Sequence, residues 1–378
     1  MKPTNRMAIA SVLMAATLCV FLMPLQALAQ GESAVPFLLI SPNSRASGIG
    51  EAGTGTVDDA SAIFWNPGAL AFLDGQELSI THANWLPQFQ QSDLFYDYLN
   101  YRIKLDDIGG TLGASFTYLN LGKFSHTLSD GPTVIDEFKA FEFAGTVGYA
   151  TKAFDDLGVG LNLRYIHSAL SPIGTEQEQG KGIANTISVD IAAMYRPAKL
   201  DVPLLGDIGK KFSMGFNLSN IGPKVTYIDA AQADPLPTNL RIGFGYKLVE
   251  DEFNSLQATL DFNRLLVRRR ADGTSDGVAK ALFSSWGDGS GLRKVNIGTG
   301  MEYWYGAPRL IALRIGYFYE DPSFGNRKFL TFGAGLRYDI YGFDFSYISA
   351  AENHPLSDTI RFSLLIGWGL DDGGASAE

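Results

Sequence analysis

The chain has one cysteine in 378 residues, Cys19, and it lies in an N-terminal apolar stretch that reads as a leader. Disulfides, thiolate chemistry and cysteine-held metals are therefore excluded from the mature protein. Histidine is nearly as scarce. His82, His126, His167 and His354 show no ligand spacing, so neither a metal site nor a cofactor is expected. Basic charge is in deficit, with 30 Lys and Arg against 40 Asp and Glu and a net charge of −10. That balance is wrong for a nucleic-acid binder, which gains affinity by neutralising phosphates. Past the leader, no apolar run reaches the ~18 residues that a membrane-spanning helix needs.

The leader itself is a secretory signal by pattern. Lys2 and Arg6 precede an apolar run from Met7 to about Met23, and Ala27-Leu28-Ala29 supplies the small residues of a cleavage site. Leu18 ahead of Cys19 is too bulky for a lipobox. Residues 1–29 are expected to be removed, and 371–378 form a short polar tail.

What the chain has in abundance is Gly (42), Phe (25) and Tyr (16), with 19% charged residues. In segment after segment, alternate residues follow opposite rules. Ile360, Phe362, Leu364, Ile366 and Trp368 oppose Arg361, Ser363, Gly367 and Gly369, with Leu365 the exception. Tyr341, Phe343, Phe345 and Tyr347 oppose Gly342, Asp344 and Ser346. Leu240, Ile242, Phe244 and Tyr246 oppose Arg241, Gly243 and Gly245. Period two marks β-strands. The apolar faces often end in Tyr or Trp (Tyr118, Tyr165, Tyr246, Tyr338, Trp368), as an interfacial girdle does. The other faces are small or polar with isolated Arg and Asp. Both features favour a lipid-facing wall around a crowded lumen over a soluble sandwich.

The expected fold is an all-β transmembrane antiparallel barrel of about 14 strands over residues 76–370. Strands are expected near 77–84, 94–104, 110–121, 137–151, 156–167, 184–196, 211–220, 238–248, 253–264, 293–304, 309–319, 327–338, 340–349 and 358–369. Short connections alternate with longer ones, the longest at 265–292. The 197–210 connection departs from that rule by its length. Short periplasmic turns and long outer loops put both termini in the periplasm. Residues 30–75 break the strand pattern. They are too apolar for a tail and too few for a domain with its own core, so they are expected to fold as a plug inside the lumen.

Two stretches of that segment carry a resemblance. Asp58-Asp59-Ala60-Ser61, leading to Trp65-Asn66-Pro67-Gly68-Ala69-Leu70, resembles the plug signature of FadL-like outer-membrane barrels. Residues 34–53, from Ala34-Val35-Pro36-Phe37 to Gly50-Glu51-Ala52-Gly53, are similar to the mature N-terminus of the PorV/PorQ branch of the type IX secretion system. Residues 218–227 and 236–241 agree. One departure is Asn66-Pro67-Gly68-Ala69, where the wider family tends to have Asn-Pro-Ala-Gly. The resemblance implies a non-enzymatic outer-membrane component. It would bind secreted cargo through the cargo's C-terminal signal domain and pass it from the translocon to a surface sortase complex. The alternative is a FadL-like transporter of hydrophobic small molecules.

On that reading the plug residues are Asp58, Asp59, Trp65, Asn66, Pro67 and Gly68. Candidate partner contacts lie in outer loops at 85–93, 121–136, 168–183, 221–237 and 265–292. Trp85, Leu86, Phe89, Leu282, Phe283 and Trp286 are the apolar anchors. Arg268, Arg269 and Arg270 are placed to meet lipopolysaccharide phosphates, against the alternative of an acid-paired loop. Arg164, Arg241, Arg314, Arg337 and Arg361, with Asp190, Asp261, Asp344 and Glu302, are expected to form a luminal network that holds the plug. Gly48-Ile49-Gly50-Glu51-Ala52-Gly53 matches a dinucleotide fingerprint in letters only, because no strand–helix context surrounds it. Asp272–Gly277 lacks the acid that would complete a calcium loop, Phe283 standing at that position. No motif favours a hydrolase triad.

Overall fold

Alternation of side chains governs the architecture. The structure, a computed structural model, describes residues 33–369 except 90–92, 128–130, 132, 173–179, 230–231, 271, 288 and 353. The expected leader and tail lie outside the described residues. The strands in chain order are β1 (Gln76–Asn84), β2 (Phe95–Leu105), β3 (Gly110–Thr127), β4 (Val134–Phe154), β5 (Leu157–Ser171), β6 (Gly182–Tyr195), β7 (Asp201–Val202) and β8 (Gly206–Asp207). They continue with β9 (Phe212–Ile221), β10 (Asn239–Glu250), β11 (Asn254–Leu265), β12 (Val295–Tyr305), β13 (Ile311–Tyr319), β14 (Lys328–Tyr338), β15 (Tyr341–Ala350) and β16 (Ile360–Trp368). Fourteen of them close an antiparallel barrel. The short β7 and β8 form a separate ribbon within the 196–211 connection.

Closure comes from β1 against β16, running from Gln76↔Trp368 to Ala83↔Arg361. It removes the open edges that an antiparallel sheet would otherwise present. On β13 exposed and buried residues alternate without a break up to Phe318: Ile311, Leu313, Ile315 and Tyr317 point out, and Ala312, Arg314, Gly316 and Phe318 point in. Val147, Leu161, Ile187, Leu313 and Leu364 are each more than half exposed. Their neighbours Asn162, Ser188, Arg314 and Ser363 are buried. An apolar outside and a polar inside invert the soluble rule and suit a wall in lipid. Among the described residues no helix is long and apolar enough to cross a membrane; the strands do the crossing.

The main buried cluster sits inside the barrel. It joins Phe37, Ile63, Trp65 and Leu70 of the N-terminal segment to Tyr96, Tyr98, Ile166 and Met194 of the wall. One expectation is corrected. The 121–136 loop is largely strand, because β3 continues to Thr127 and β4 begins at Val134, with a bulge between Asn120 and Gly122.

Ile315 lies midway along β13, faces outward and is 50% exposed. Ile315→Arg is expected to destabilise the barrel by about 2–4 kcal/mol in lipid vesicles. Equilibrium unfolding compared with Ile315→Ala checks this, and equal stability of the two variants would show that the face does not meet lipid.

Candidate functional site

The N-terminal segment is irregular, and its own sequence explains its turns. Pro36 opens a 3-10 turn, Pro36–Leu39, and Pro67 opens another, Pro67–Phe72. Proline suits the first helical position, where its missing N–H is no loss. Asn66 Oδ1 accepts from Gly68 N at 3.0 Å and caps the second turn. Asp59 Oδ1 accepts from Ser61 N at 2.9 Å and from the Ser61 hydroxyl. Trp65 is buried, and its indole Nε1 donates to Asn43 Oδ1 at 2.9 Å.

The wall satisfies this segment's backbone. Asp261 Oδ2 accepts from Gly53 N (2.9 Å) and Thr54 N (2.8 Å). Asn162 Nδ2 donates to Ile63 O at 2.7 Å, and Asn217 Nδ2 donates to Trp65 O at 3.0 Å. Asn66 Nδ2 reaches outward to Ala193 O at 3.0 Å. Ser44 N donates to Ser363 Oγ at 3.1 Å. Such groups, buried from water, would otherwise each cost about 1–3 kcal/mol.

Glycine on the inner face makes these approaches possible. A Cβ on Gly300 would stand 2.7 Å from Ile49 O, and one on Gly243 would stand 2.5 Å from Gly55 N. Gly68 has the same need from the other side, since a Cβ there would meet Ala193 Cα at 2.9 Å. The order Gly68-Ala69 therefore places the residue without a side chain against the wall.

Charge completes the attachment. Arg45 meets Glu302 through Nη2 (2.7 Å) and Nε (2.8 Å), Asp59 at 3.1 Å, and Asp58. Glu302 also accepts from Arg314 Nε at 2.6 Å, and Arg314 Nη1 reaches Asp344 at 2.8 Å. Arg337 holds the other oxygen of Asp344 at 2.7 Å. Asp58 reaches Arg309, beside β13, at 3.3 Å. One chain of alternating charge thus runs from the segment across β12, β13, β14 and β15. Arg164 and Asp190 pair separately at 2.6 Å. Arg241 lies over the rings of Phe64 (4.6 Å) and Trp65 (5.0 Å). Arg361 is fully buried and stands 3.9 Å from Glu51.

Between the segment and the connections at the rim opposite Gln76 and Trp368 lies a cavity of about 700 Å³. Phe37, Ile40, Trp85, Leu119, Phe318 and Leu356 line it, with Arg241, Asn263 and Asn296 among the polar groups.

The loop anchors divide. Trp85 turns inward, lines the cavity and lies over Arg361 at 5.7 Å. Leu86 packs against the cluster of Phe318, Phe329, Ile348 and Leu356. Leu282 is half-buried. Phe89, Phe283 and Trp286 are exposed, Phe283 to 80%. Exposed Leu292 joins them, although it stands alone in Gly291-Leu292-Arg293-Lys294 and carries no pattern that would single it out. Arg268 and Arg270 staple their own loop, and Arg269 reaches across to the 221–237 connection. Arg268 Nη1 donates to Ser284 O (2.7 Å), Arg269 approaches Asp234 (3.4 Å), and Arg270 Nε donates to Asp276 (2.8 Å). The Ser284 hydroxyl and Arg270 hold the Asp276 carboxyl below its ordinary range. Arg269 and Arg270 keep about half of their side-chain surface exposed. Among the described residues no group of three or more His, Cys, Asp or Glu is arranged to hold a metal.

Sequence reasoning missed Arg45 as a site residue. It is a lone cation in Ser44-Arg45-Ala46-Ser47, and its partner Glu302 lies 257 positions away.

The family described as type IX secretion system protein PorV matches residues 27–272, more than half of the chain. Curated proteins yield no match in sequence. Among solved structures, the toluene transporter TbuX of Ralstonia pickettii is 12% identical. The alignment covers 87% of this chain and 98% of that one, with a TM-score of 0.50. The deltaS2S3 mutant of the monoaromatic hydrocarbon channel TodX, a Pseudomonas putida protein, is also 12% identical. It covers 86% and 98% with a TM-score of 0.51. At that identity the likeness is one of fold.

Removing one partner from a buried ion network leaves an uncompensated charge, at about 3–5 kcal/mol. Arg45→Met is expected to destabilise the chain by that order and to raise ion conductance in planar bilayers as the segment loosens. Unchanged denaturation and conductance would mean that the network does not hold the segment.

Proposed function

The chain belongs to the PorV family, and from that premise we propose that it is an outer-membrane component of type IX secretion. It binds secreted proteins through their C-terminal signal domain and passes them from the translocon to the surface attachment and sortase complex. The termini lie in the periplasm, and the long connections face outward. The outer surface contacts membrane lipid, and the exposed parts of Arg269 and Arg270 border lipopolysaccharide.

The observation that carries this reading is the contrast between inside and outside. The lumen is occupied by residues 33–75, which are ion-paired and hydrogen-bonded to the wall. The connections meanwhile present Phe89, Phe283, Trp286 and Leu292 to solvent. Exposed aromatics at a rim are suited to a protein partner. Residues 30–75 then act as a plug that seals the barrel, with Asp58, Asp59, Trp65, Asn66, Pro67 and Gly68 setting its shape. Work is done on the outer side, with no bond made or broken.

The cavity supports a second reading, a transporter of hydrophobic small molecules. Its volume falls within the usual range of ligand sites, about 300–1,000 Å³, and much of its lining is apolar. The solved relatives named for toluene and monoaromatic hydrocarbons share the fold.

Deleting the gene separates the two. The secretion reading expects signal-domain proteins to be lost from the cell surface, with hydrocarbon uptake unchanged. Surface delivery that persists while uptake fails would overturn it. Within the secretion reading, Phe283→Asp with Trp286→Asp is expected to weaken binding of a purified signal domain about tenfold or more. Unchanged affinity would move the contact away from the 265–292 loop.

A further inference from the structure

β3 and β4 outrun their neighbours. β2 begins at Phe95, opposite Asn120 of β3, and the β4–β5 pairing reaches only Phe141↔Ala169. Residues 122–127 therefore pair with 134–140, Leu121 and Ile135 bulging from the register, and among the described residues they pair with no third strand. At ~3.3 Å per residue this ribbon extends roughly 20 Å along its strands beyond the rim opposite Gln76 and Trp368.

A two-stranded ribbon in water is marginal alone. The stacked rings of Phe124 and Phe138, 5.8 Å apart, brace this one, while Val134 and Ile135 are more than half exposed. Natural edges are commonly blunted by proline, charge or a bulge. Leu121-Gly122-Lys123-Phe124-Ser125-His126-Thr127 has no proline, and its guards are the bulge at Leu121 and the charge of Lys123. What covers such an edge follows from its chemistry. A row of N–H and C=O groups at strand spacing is met in register by another extended backbone.

The side chains narrow the choice. Lys123 stands directly across from Lys139. Both are exposed, and neither makes an ion pair among the described residues. Like charges opposite one another destabilise a ribbon. With exposed Glu137 the one acid on their face of the ribbon, the two lysines leave that face net positive and favour a strand that brings a carboxylate.

We propose that the β3 edge at 121–127 is a strand-addition site for a partner protein. The incoming strand runs antiparallel to β3, in the line that β2 leaves at Phe95, with an acidic side chain beside Lys123 and Lys139. This rests on the secretion reading, in which the strand belongs to the cargo's C-terminal signal domain.

The test mixes the full chain in nanodiscs with a purified signal domain from the same bacterium and follows amide exchange residue by residue. Alternate amides within 121–127 are expected to slow about tenfold, while those bonded to β4 change little. Proline at a newly protected position is expected to weaken binding about five- to tenfold, and alanine there to leave it unchanged. Lys123→Glu with Lys139→Glu weakens it as well. Heat-modified gel migration verifies that each variant's barrel is folded. A domain that binds without slowing 121–127 overturns the edge site and leaves the secretion reading standing. A domain that does not bind at all overturns the secretion reading, and the edge site with it.

Discussion

The Arg45 guanidinium joins the N-terminal segment to the wall through the most extended ion network between them. Inside the barrel, charges have little water to screen or solvate them, so each must find a partner at contact distance. Arg45 meets that demand for Asp58 and Asp59 of its own segment and for Glu302 of the wall. Glu302 in turn orients Arg314, and Arg314 shares Asp344 with Arg337. The finer contacts presuppose that position. The amides of Gly53 and Thr54 reach Asp261, and Gly68 lies flat against Ala193, only when the segment is docked in this register. The cavity above it has the segment as its floor.

Most of the wall was legible because lipid outside and a crowded lumen inside impose opposite rules on alternate residues. The last strand shows it: Ile360 to Trp368 was readable residue by residue, and the structure pairs it with β1 and β15. The β3–β4 ribbon was misread as a loop for a physical reason. Above the membrane neither rule applies, so Lys123, Ser125, Asp136 and Glu137 fall on a strand without the signature of one. The β7–β8 ribbon is too short for any period to register.

Less of the interior was legible. Asn66 and Pro67 announce a capped turn by local chemistry, and the structure builds that turn. The acids Asp58 and Asp59 stand out as a pair, yet nothing nearby names their cation. Glycines on the inner face read as a crowded lumen, but which backbone crowds them is a tertiary fact. Trp85 and Leu86 were read as outward anchors from their loop position. Both turn inward because an apolar hollow lies beneath that loop. Arg268, Arg269 and Arg270 look like a phosphate-binding run. Acceptors in the protein meet all three, Ser284 O and Asp276 in their own loop and Asp234 in the 221–237 connection.

The central claim is that the N-terminal segment stays docked while the outer rim does the work. Ser44 Oγ and Ser363 Oγ lie 2.9 Å apart, one on the segment and one on β16. Replacing both with cysteine in a chain whose one native cysteine is Cys19 allows a disulfide to lock the segment to the wall. Surface delivery of signal-domain proteins is then measured in cells carrying the oxidised and the reduced forms. The account predicts equal delivery from both. Delivery that stops on oxidation and returns with reductant would contradict it, because the segment would then have to move.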